Sequence, residues 1–429
     1  MRLRDDEKAM LNGERGPARQ KAMDLLVRYA NALGCEDFVD VSNVTGVPGQ
    51  ANVFLDQVYR ERGDSWDTIY SLYDLDSDEV VDIPEPSVAH ACHLQGGTDP
   101  KSWKTLGHSP ELARLSRTSD ESAAARGVQV LKTCTPYLAG NEPAYGEHCA
   151  WMESSAVVYC NSVLGARTNT EGRESTSAAM LTGKIPNFGL HLDSPRRGTH
   201  RIDVEIPVTS LLDWGLLGYF VGEQVQERIP VLCGIEHQAD LVRHKHFGAA
   251  AASSGGVELY HVVGQTPEAP TAERAFGGNA PVEIIHYGNR ERRQCYDALN
   301  QTGQSHDVDY VMLGCPHAAL EQIEEAARML NGRSISTNCA LWIFTSRAVK
   351  TRADAAGLTA SIEAAGGQIM TDTCSAIGQV VPPGTRVVAL DSAKQAHYLP
   401  AIMGIEAWFG TTESCIDAAL TGRWRGEPE

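Results

Sequence analysis

The stretch that decides the fold begins with Asp309-Tyr-Val-Met-Leu-Gly-Cys315 and continues through two further apolar runs, Ala340-Leu-Trp-Ile-Phe344 and Gln368-Ile-Met370. Between the first two runs, apolar residues recur at helical spacing, which predicts an amphipathic helix. Short strands that alternate with helices predict a βαβαβ unit with parallel strands and right-handed crossovers. The sequence therefore predicts an α/β protein whose C-terminal part contains a parallel sheet.

The chain has 429 residues, which is too long for one ordinary domain. We expect three α/β domains, at residues 1–126, 127–304 and 305–429. Ahead of the C-terminal unit, a helix is predicted over residues 18–33, where the apolar spacing is helical and Gly34 follows.

Two segments of the predicted central domain have contrasting patterns. Arg201-Ile-Asp-Val-Glu-Ile-Pro-Val208 alternates polar and apolar residues, which predicts a half-buried strand. Residues 248–256 consist only of glycine, alanine and serine, which we interpret as loop-like or loosely packed.

The charge balance argues against several classes of function. With 37 basic and 55 acidic residues, the net charge is −18. This value disfavours a nucleic-acid or polybasic membrane-binding surface. The charged N-terminus has no apolar core of a signal peptide, and no apolar stretch is long enough to span a bilayer. Eleven cysteines without a Cys-x-x-Cys pair indicate reduced thiols, and we expect a cytoplasmic protein.

Three of the cysteines follow strand-like runs. Cys134 ends residues 127–134, Cys315 ends the first run of the C-terminal unit, and Cys374 lies just beyond the third. Ligand crevices of open α/β sheets lie past the carboxyl ends of their strands. Three thiols brought there could hold a metal ion and leave one coordination position open. We also expect Cys315-Pro316-His317 to open a helix, where the helix dipole favours thiolate. The alternative is that the three are buried structural cysteines.

Polar side chains also interrupt an apolar, helix-like stretch between residues 146 and 169. Buried polar groups need partners, and a small polar ligand would supply them, although a solvated helix face is the alternative. Arg347, at the start of a helix after a strand, could pair with a carboxylate or phosphate or form a surface salt bridge. The candidate catalytic residues are Ser154, Ser155, Asn161, Ser162, Arg167, Thr168, Asn169 and Arg347.

Nearly the whole chain resembles the aconitase X family. The resemblance is carried by ordered motifs: Cys134-Thr-Pro-Tyr-Leu138, Gly146-Glu-His148, Trp151 through Asn169, Thr182-Gly-Lys-Ile-Pro186, Gly264-Gln-Thr-Pro-Glu-Ala-Pro-Thr271, Cys315-Pro-His317, Thr345-Ser-Arg347, Thr371-Asp-Thr-Cys374 and Gly404 through Glu413. The resemblance implies an aconitase-like catalytic subunit with three α/β domains and mostly parallel sheets around a central iron site. It also implies that the swivelling fourth domain is a separate small subunit.

The same resemblance implies a site and a reaction. Cys134, Cys315 and Cys374 would be the ligands of a mononuclear iron, a 2Fe-2S cluster or a 4Fe-4S cluster. The reaction would be dehydration of a small hydroxy acid, first of all cis-3-hydroxy-L-proline to 1-pyrroline-2-carboxylate. The alternatives are mevalonate 5-phosphate or a related hydroxy acid. Two other interpretations remain, a non-catalytic iron–sulfur or redox-sensing protein and an enzyme in which Cys315 and His317 form a nucleophilic pair.

Overall fold

A computed structural model describes residues 1–46, 84–88, 90–93 and 97–426. In these residues the strands form four sheets, of which the first two interleave along the chain and the other two follow in order. No helix among them is long and apolar enough to cross a membrane. The ten cysteines whose side chains are described form no disulfide with one another.

The N-terminal part contains two small sheets. Strands β1 (Phe38–Asp40) and β5 (Lys184–Pro186) pair antiparallel, and β2 (Asn43–Gly46) lies between β3 (His90–His93) and β4 (Cys149–Trp151) in a parallel sheet. The helices of this part are α1 (Asp5–Leu11), α2 (Pro17–Ala32), α3 (Pro110–Ala125), α4 (Ser154–Tyr159) and α5 (Arg173–Thr182). Helix α2 confirms the helix that was predicted over residues 18–33.

The second part is a parallel sheet in the order β8-β7-β6-β9. Its strands are β6 (His200–Val204), β7 (Pro230–Cys233), β8 (His261–Val262) and β9 (Glu283–Tyr287), and its helices are α6 (Leu211–Val225), α7 (Leu241–Gly255), α8 (Ala272–Phe276) and α9 (Asn289–Leu299). The predicted strand over residues 201–208 is confirmed at its start and ends at Val204.

The prediction of a loose loop at residues 248–256 is wrong, because most of this stretch is the second half of helix α7. Its small residues allow α7 to pack closely against α6. A Cβ atom at Gly255 of α7 would collide with the Gly222 carbonyl oxygen of α6, and one at Gly218 of α6 would collide with the Phe247 carbonyl oxygen of α7. The composition therefore reflects the close approach of two helix backbones.

The third part contains five parallel strands in the order β12-β11-β10-β13-β14, which confirms the predicted parallel sheet. The strands are β10 (Tyr310–Ala318), β11 (Ala340–Thr345), β12 (Gln368–Met370), β13 (Val387–Leu390) and β14 (Glu406–Phe409). The helices are α10 (Leu320–Leu330), α11 (Arg347–Ala355), α12 (Leu358–Ala364), α13 (Ser375–Gly378), α14 (Ala393–Met403) and α15 (Thr412–Thr421).

Two local predictions around the cysteines need correction. Cys315-Pro316-His317 does not open a helix, because β10 continues to Ala318 and α10 begins only at Leu320. The pairing of β10 with β11 shifts register between Leu313 and Ala318, a stretch that includes Gly314 with φ +88°. Residues 127–134 form no regular strand, only an isolated bridge at Gln129, so Cys134 lies in an irregular segment. Cys374 follows β12, as predicted.

The largest cluster of buried apolar side chains joins the second and third parts. It extends from the helices of the second sheet to Tyr310 and Phe344 of the third, and it includes Cys315 and Cys374. The sheets group residues 38–186, 200–287 and 310–409. The domain boundaries at 126 and 304 remain a proposal.

Candidate active site

The three cysteines lie around one cavity of about 250 Å³. They reach it from the irregular segment before residue 135, from β10 and from the start of α13. All three are buried. The cavity is lined by Cys134, Glu153, Gly314, Cys315, His317, Cys374, Ala376, Ile377, Lys394, Gln395, Tyr398 and Ile402. Three distant segments therefore bring their thiols to a common space.

Each of the three sulfurs accepts a hydrogen bond from nitrogen. The backbone N–H of His317 donates to Cys134 Sγ at 3.2 Å, and the side-chain Nε2 of Gln395 donates to Cys315 Sγ at 3.1 Å. The backbone N–H of Ile377 donates to Cys374 Sγ at 3.5 Å. Such bonds favour the thiolate, which is the form of cysteine that binds metals.

Burial acts against the thiolate at two of these cysteines. It raises the pKa of Cys134 well above its ordinary value, and the nearby Glu153 carboxylate adds to this effect. Burial also raises the pKa of Cys315, although the Lys394 ammonium and the Gln395 amide oppose the increase. Without a cation in the cavity, these two thiols are therefore favoured in their protonated form, so binding a metal would release protons.

Glu153 and Lys394 form an ion pair on the cavity wall. Lys394 Nζ donates to Glu153 Oε1 at 2.8 Å and to Ser155 Oγ at 2.6 Å. The other oxygen of Glu153 accepts the backbone N–H of Ala156 at 2.8 Å and so caps helix α4. Burial alone would lower the pKa of Lys394, but the Glu153 carboxylate opposes it by charge and by hydrogen bond, and the pKa is raised. Lys394 therefore carries a positive charge in the cavity.

Only one of the two polar atoms of the Gln395 side-chain amide is hydrogen-bonded within the described residues. Its side chain is 2% exposed. Its nitrogen donates to Cys315, whereas its oxygen has no hydrogen-bond partner among the described residues. Since a buried amide oxygen without a donor is costly, this atom is suited to accept a hydrogen bond from a molecule in the cavity.

The His317 ring does not face Cys315. Nδ1 lies 2.9 Å from Thr133 Oγ1, and Nε2 lies 3.1 Å from the Thr373 carbonyl oxygen. Because both ring nitrogens are already engaged, His317 is not placed to activate Cys315 as a nucleophile. The geometry therefore argues against a Cys315–His317 nucleophilic pair.

The predicted catalytic residues of the 154–169 segment serve mainly to hold that segment together. Ser154 and Ser155 begin α4, and of the two it is Ser155 that contacts Lys394. Asn161 Nδ2 donates to the Thr168 carbonyl oxygen at 2.8 Å, and Asn161 Oδ1 accepts the backbone N–H of Thr168 at 3.0 Å. Ser162 Oγ accepts the backbone N–H of Tyr260 at 2.9 Å.

Residues 167–169, at the end of this segment, also form hydrogen bonds with neighbouring parts of the chain. Arg167 donates to the His191 carbonyl oxygen at 2.7 Å and pairs with Asp193. Thr168 Oγ1 accepts the backbone N–H of Trp151, and Asn169 accepts that of Leu190. None of these side chains between 161 and 169 is among the described residues that line the thiol cavity. Their assignment as substrate-binding residues stays a prediction.

Arg347 is part of an ion network close to Cys374. Its guanidinium donates to both oxygens of Asp372, at 2.8 and 2.9 Å from Nε, and to Asp120 at 2.6 Å. Asp372 is fully buried with φ +68°. The arginine thus fixes the chain two residues before Cys374, and its predicted contact with substrate stays a prediction.

Sequence reasoning did not single out Lys394 or Gln395. A signal was present, because both lie in the first turn of the helix after β13, just as Arg347 lies in the first turn of the helix after β11.

The described residues contain no group of three histidine, cysteine, aspartate or glutamate side chains in a metal-binding arrangement. The three thiols therefore share a cavity without having the spacing of metal ligands.

Comparisons with known proteins identify the family. Residues 1–194 match the aconitase X first domain, residues 198–297 the second domain and residues 308–421 the third domain. The crystal structure of Thermococcus kodakaraensis aconitase X in its holo-form superposes with a TM-score of 0.81 at 31% identity, covering 98% of this chain and 100% of that one.

Curated relatives fall into two groups. The phosphomevalonate dehydratase large subunit of Methanothermobacter thermautotrophicus is 38% identical over 94% of this chain and 94% of that protein. The cis-3-hydroxy-L-proline dehydratase of Pseudomonas aeruginosa is 32% identical over 98% of this chain and 70% of that protein.

The fold and the relatives together define an α/β hydro-lyase. The chain belongs to the aconitase X family, and it is a dehydratase of that family. This confirms the family resemblance, the fold class and the enzyme class predicted from the sequence.

Proposed function

We propose that this chain is the large catalytic subunit of an iron-dependent dehydratase that acts on a small hydroxy acid in the thiol cavity. The observation that carries the proposal is the convergence of Cys134, Cys315 and Cys374 on one cavity, with an N–H donor directed at each sulfur. The Glu153–Lys394 pair on the same wall adds acid–base and charge-binding groups.

The donor set fits an iron centre. Thiolates are the usual ligands of iron–sulfur clusters, and hydrogen bonds to the sulfurs tune such centres. Cys134, Cys315 and Cys374 would hold the iron, whether mononuclear or in a 2Fe-2S or 4Fe-4S cluster. When bound, iron would supply Lewis-acid polarisation of the substrate hydroxyl.

The protein side chains would then bind and orient the substrate. The Lys394 ammonium lines the cavity beside Glu153, so its charge would attract the carboxylate of a substrate that enters. Glu153 is the one carboxylate among the described lining residues, and its Oε1 could accept the proton removed beside the substrate carboxylate. The free oxygen of Gln395 could accept a hydrogen bond from a substrate hydroxyl or amine.

Two substrates are supported by different observations. Lys394 is the one lysine or arginine among the described lining residues, and it is already paired, which favours the less anionic cis-3-hydroxy-L-proline. The higher identity and nearly end-to-end match to a phosphomevalonate dehydratase large subunit favour mevalonate 5-phosphate. Both share a carboxylate and a hydroxyl that leaves as water.

The relatives also support a partner chain. Those that match this chain end to end are named large subunits, and the cis-3-hydroxy-L-proline dehydratase of Pseudomonas aeruginosa extends beyond the matched region. We therefore propose a separate small subunit that completes the site.

The proposal is tested by reconstitution. The chain, purified together with the proposed small subunit and loaded with iron, is incubated separately with cis-3-hydroxy-L-proline and with mevalonate 5-phosphate. We expect dehydration of one of them, measured as 1-pyrroline-2-carboxylate or as the corresponding unsaturated phosphorylated acid. The large subunit alone and the iron-free pair serve as controls and should be inactive. If the loaded pair dehydrates neither compound, both proposed substrates are wrong. Activity that is the same with and without iron would overturn the role of the metal.

A further inference from the structure

One side chain contacts all three thiol-bearing segments. His317 is two residues beyond Cys315, its ring reaches Thr133 beside Cys134, and it also reaches Thr373 beside Cys374. Its backbone N–H donates directly to Cys134 Sγ at 3.2 Å. The side chain is fully buried. Cys134 and Cys374 are therefore each next to a residue that the His317 ring contacts, and Cys315 is two residues before His317 itself.

The hydrogen bonds determine how the ring is protonated. The Thr373 carbonyl oxygen can only accept, so Nε2 of His317 carries the hydrogen and donates to it. The other nitrogen, Nδ1, then accepts from the hydroxyl of Thr133. That hydroxyl in turn accepts the backbone N–H of Thr135 at 3.1 Å. Donors and acceptors therefore match along the whole series of hydrogen bonds from Thr135 through Thr133 and His317 to Thr373.

Lys245 also bonds to the segment that carries His317. It is buried in helix α7, and its Nζ donates to the carbonyl oxygens of Pro316 and His317 at 3.1 and 2.8 Å. Its third bond, at 2.6 Å, goes to Gln322 of helix α10. Lys245 thus holds the main chain at His317, while the imidazole of His317 bonds to the other two segments.

We propose that His317 is a positioning residue that sets the spacing of Cys134, Cys315 and Cys374 and is neither a metal ligand nor a proton carrier. The inference rests on the proposed function only in taking the three thiols as ligands. Side chains that hold metal ligands without touching the metal commonly change affinity by about 10–100-fold when they are removed. We expect an effect of that size from His317.

The experiment uses Cd²⁺ as the probe, because it binds thiolates and its absorption in the ultraviolet reports the number of sulfurs bound. The iron-free full chain should bind Cd²⁺ through the three cysteines. In His317→Leu, which loses both ring bonds, affinity should fall by about 10–100-fold. His317→Gln can still donate to Thr373 and His317→Asn can still accept from Thr133, so both should fall between wild type and His317→Leu.

A matched control separates this effect from general damage to the core. His261 is also buried and donates from Nε2 to the Arg196 carbonyl oxygen at 2.8 Å, and it is not among the cavity-lining residues. His261→Leu should lower the unfolding temperature and leave Cd²⁺ affinity and its absorption unchanged.

The possible results distinguish the two proposals. If His317→Leu does not fold, the glutamine and asparagine variants decide the question. Cd²⁺ affinity and absorption equal to wild type in every folded variant of His317 would overturn the positioning role, as would a wild-type chain whose Cd²⁺ is not bound by the three cysteines. If Cd²⁺ binding depends on His317 but iron-loaded protein dehydrates nothing, the positioning role stands and the proposed function fails.

Discussion

Cys315→Ser is expected to abolish iron binding and dehydration together. A serine hydroxyl is a poor ligand for iron, and the Gln395 amide that donates to Cys315 Sγ at 3.1 Å would lose its acceptor sulfur. Changes outside the ligand set typically cost about 10–100-fold, so removal of a ligand should lower turnover by at least about 100-fold. The measurements are iron per chain and the dehydration rate of the reconstituted pair.

The control for this substitution is Cys339→Ser. Cys339 is a half-buried free thiol that contacts the Ala340 carbonyl oxygen at 3.6 Å and does not line the cavity. This variant should keep both iron and activity. If Cys315→Ser retains a full complement of iron and normal turnover, the ligand assignment is wrong, and with it the central element of the proposed function.

Lys394→Met is expected to affect stability and turnover for separate reasons. The Glu153 and Lys394 side chains are only 16% and 15% exposed, so the substitution leaves a largely buried carboxylate without its partner. Breaking a buried ion pair in this way costs about 3–5 kcal/mol of unfolding free energy. Turnover should also fall by about 100-fold or more, because loss of a positioned charge or proton-transfer group commonly costs that much. Iron content should remain normal.

The double variant Glu153→Gln/Lys394→Met separates the two effects. With both charges removed, most of the lost stability should return, as measured by denaturant unfolding, while turnover stays low. Recovery of turnover together with stability would show that the pair is structural and takes no part in the reaction.

The C-terminal sheet could be predicted because its signal is local. Short apolar runs and the helical spacing of residues 320–330 lie within a few residues of one another, and the structure forms β10, α10 and β11 from them. The helix predicted at Cys315-Pro316-His317 failed because a continuing strand has the same local composition. The decisive pairing of β10 with β11 beyond Gly314 is a tertiary contact.

The polar half of the cavity could not be predicted in the same way. Lys394 and Gln395 look like the solvated first turn of a helix, and their partners Glu153 and Cys315 are 241 and 80 residues away along the chain. Conversely, the polar residues between 161 and 169 looked available for a ligand, but they are engaged with nearby backbone groups and with Tyr260. The sequence shows which side chains are polar, but the tertiary packing determines which of them are left available to bind a ligand.

The long separation between Glu153 and Lys394 has a consequence for biosynthesis. The cavity is assembled from residues near 134, 153, 315, 374 and 394, so a nascent chain lacks the complete thiol set until Cys374 has left the ribosome. On the proposed ligand assignment, a nascent chain that ends before Cys374 can therefore not hold the metal through all three sulfurs.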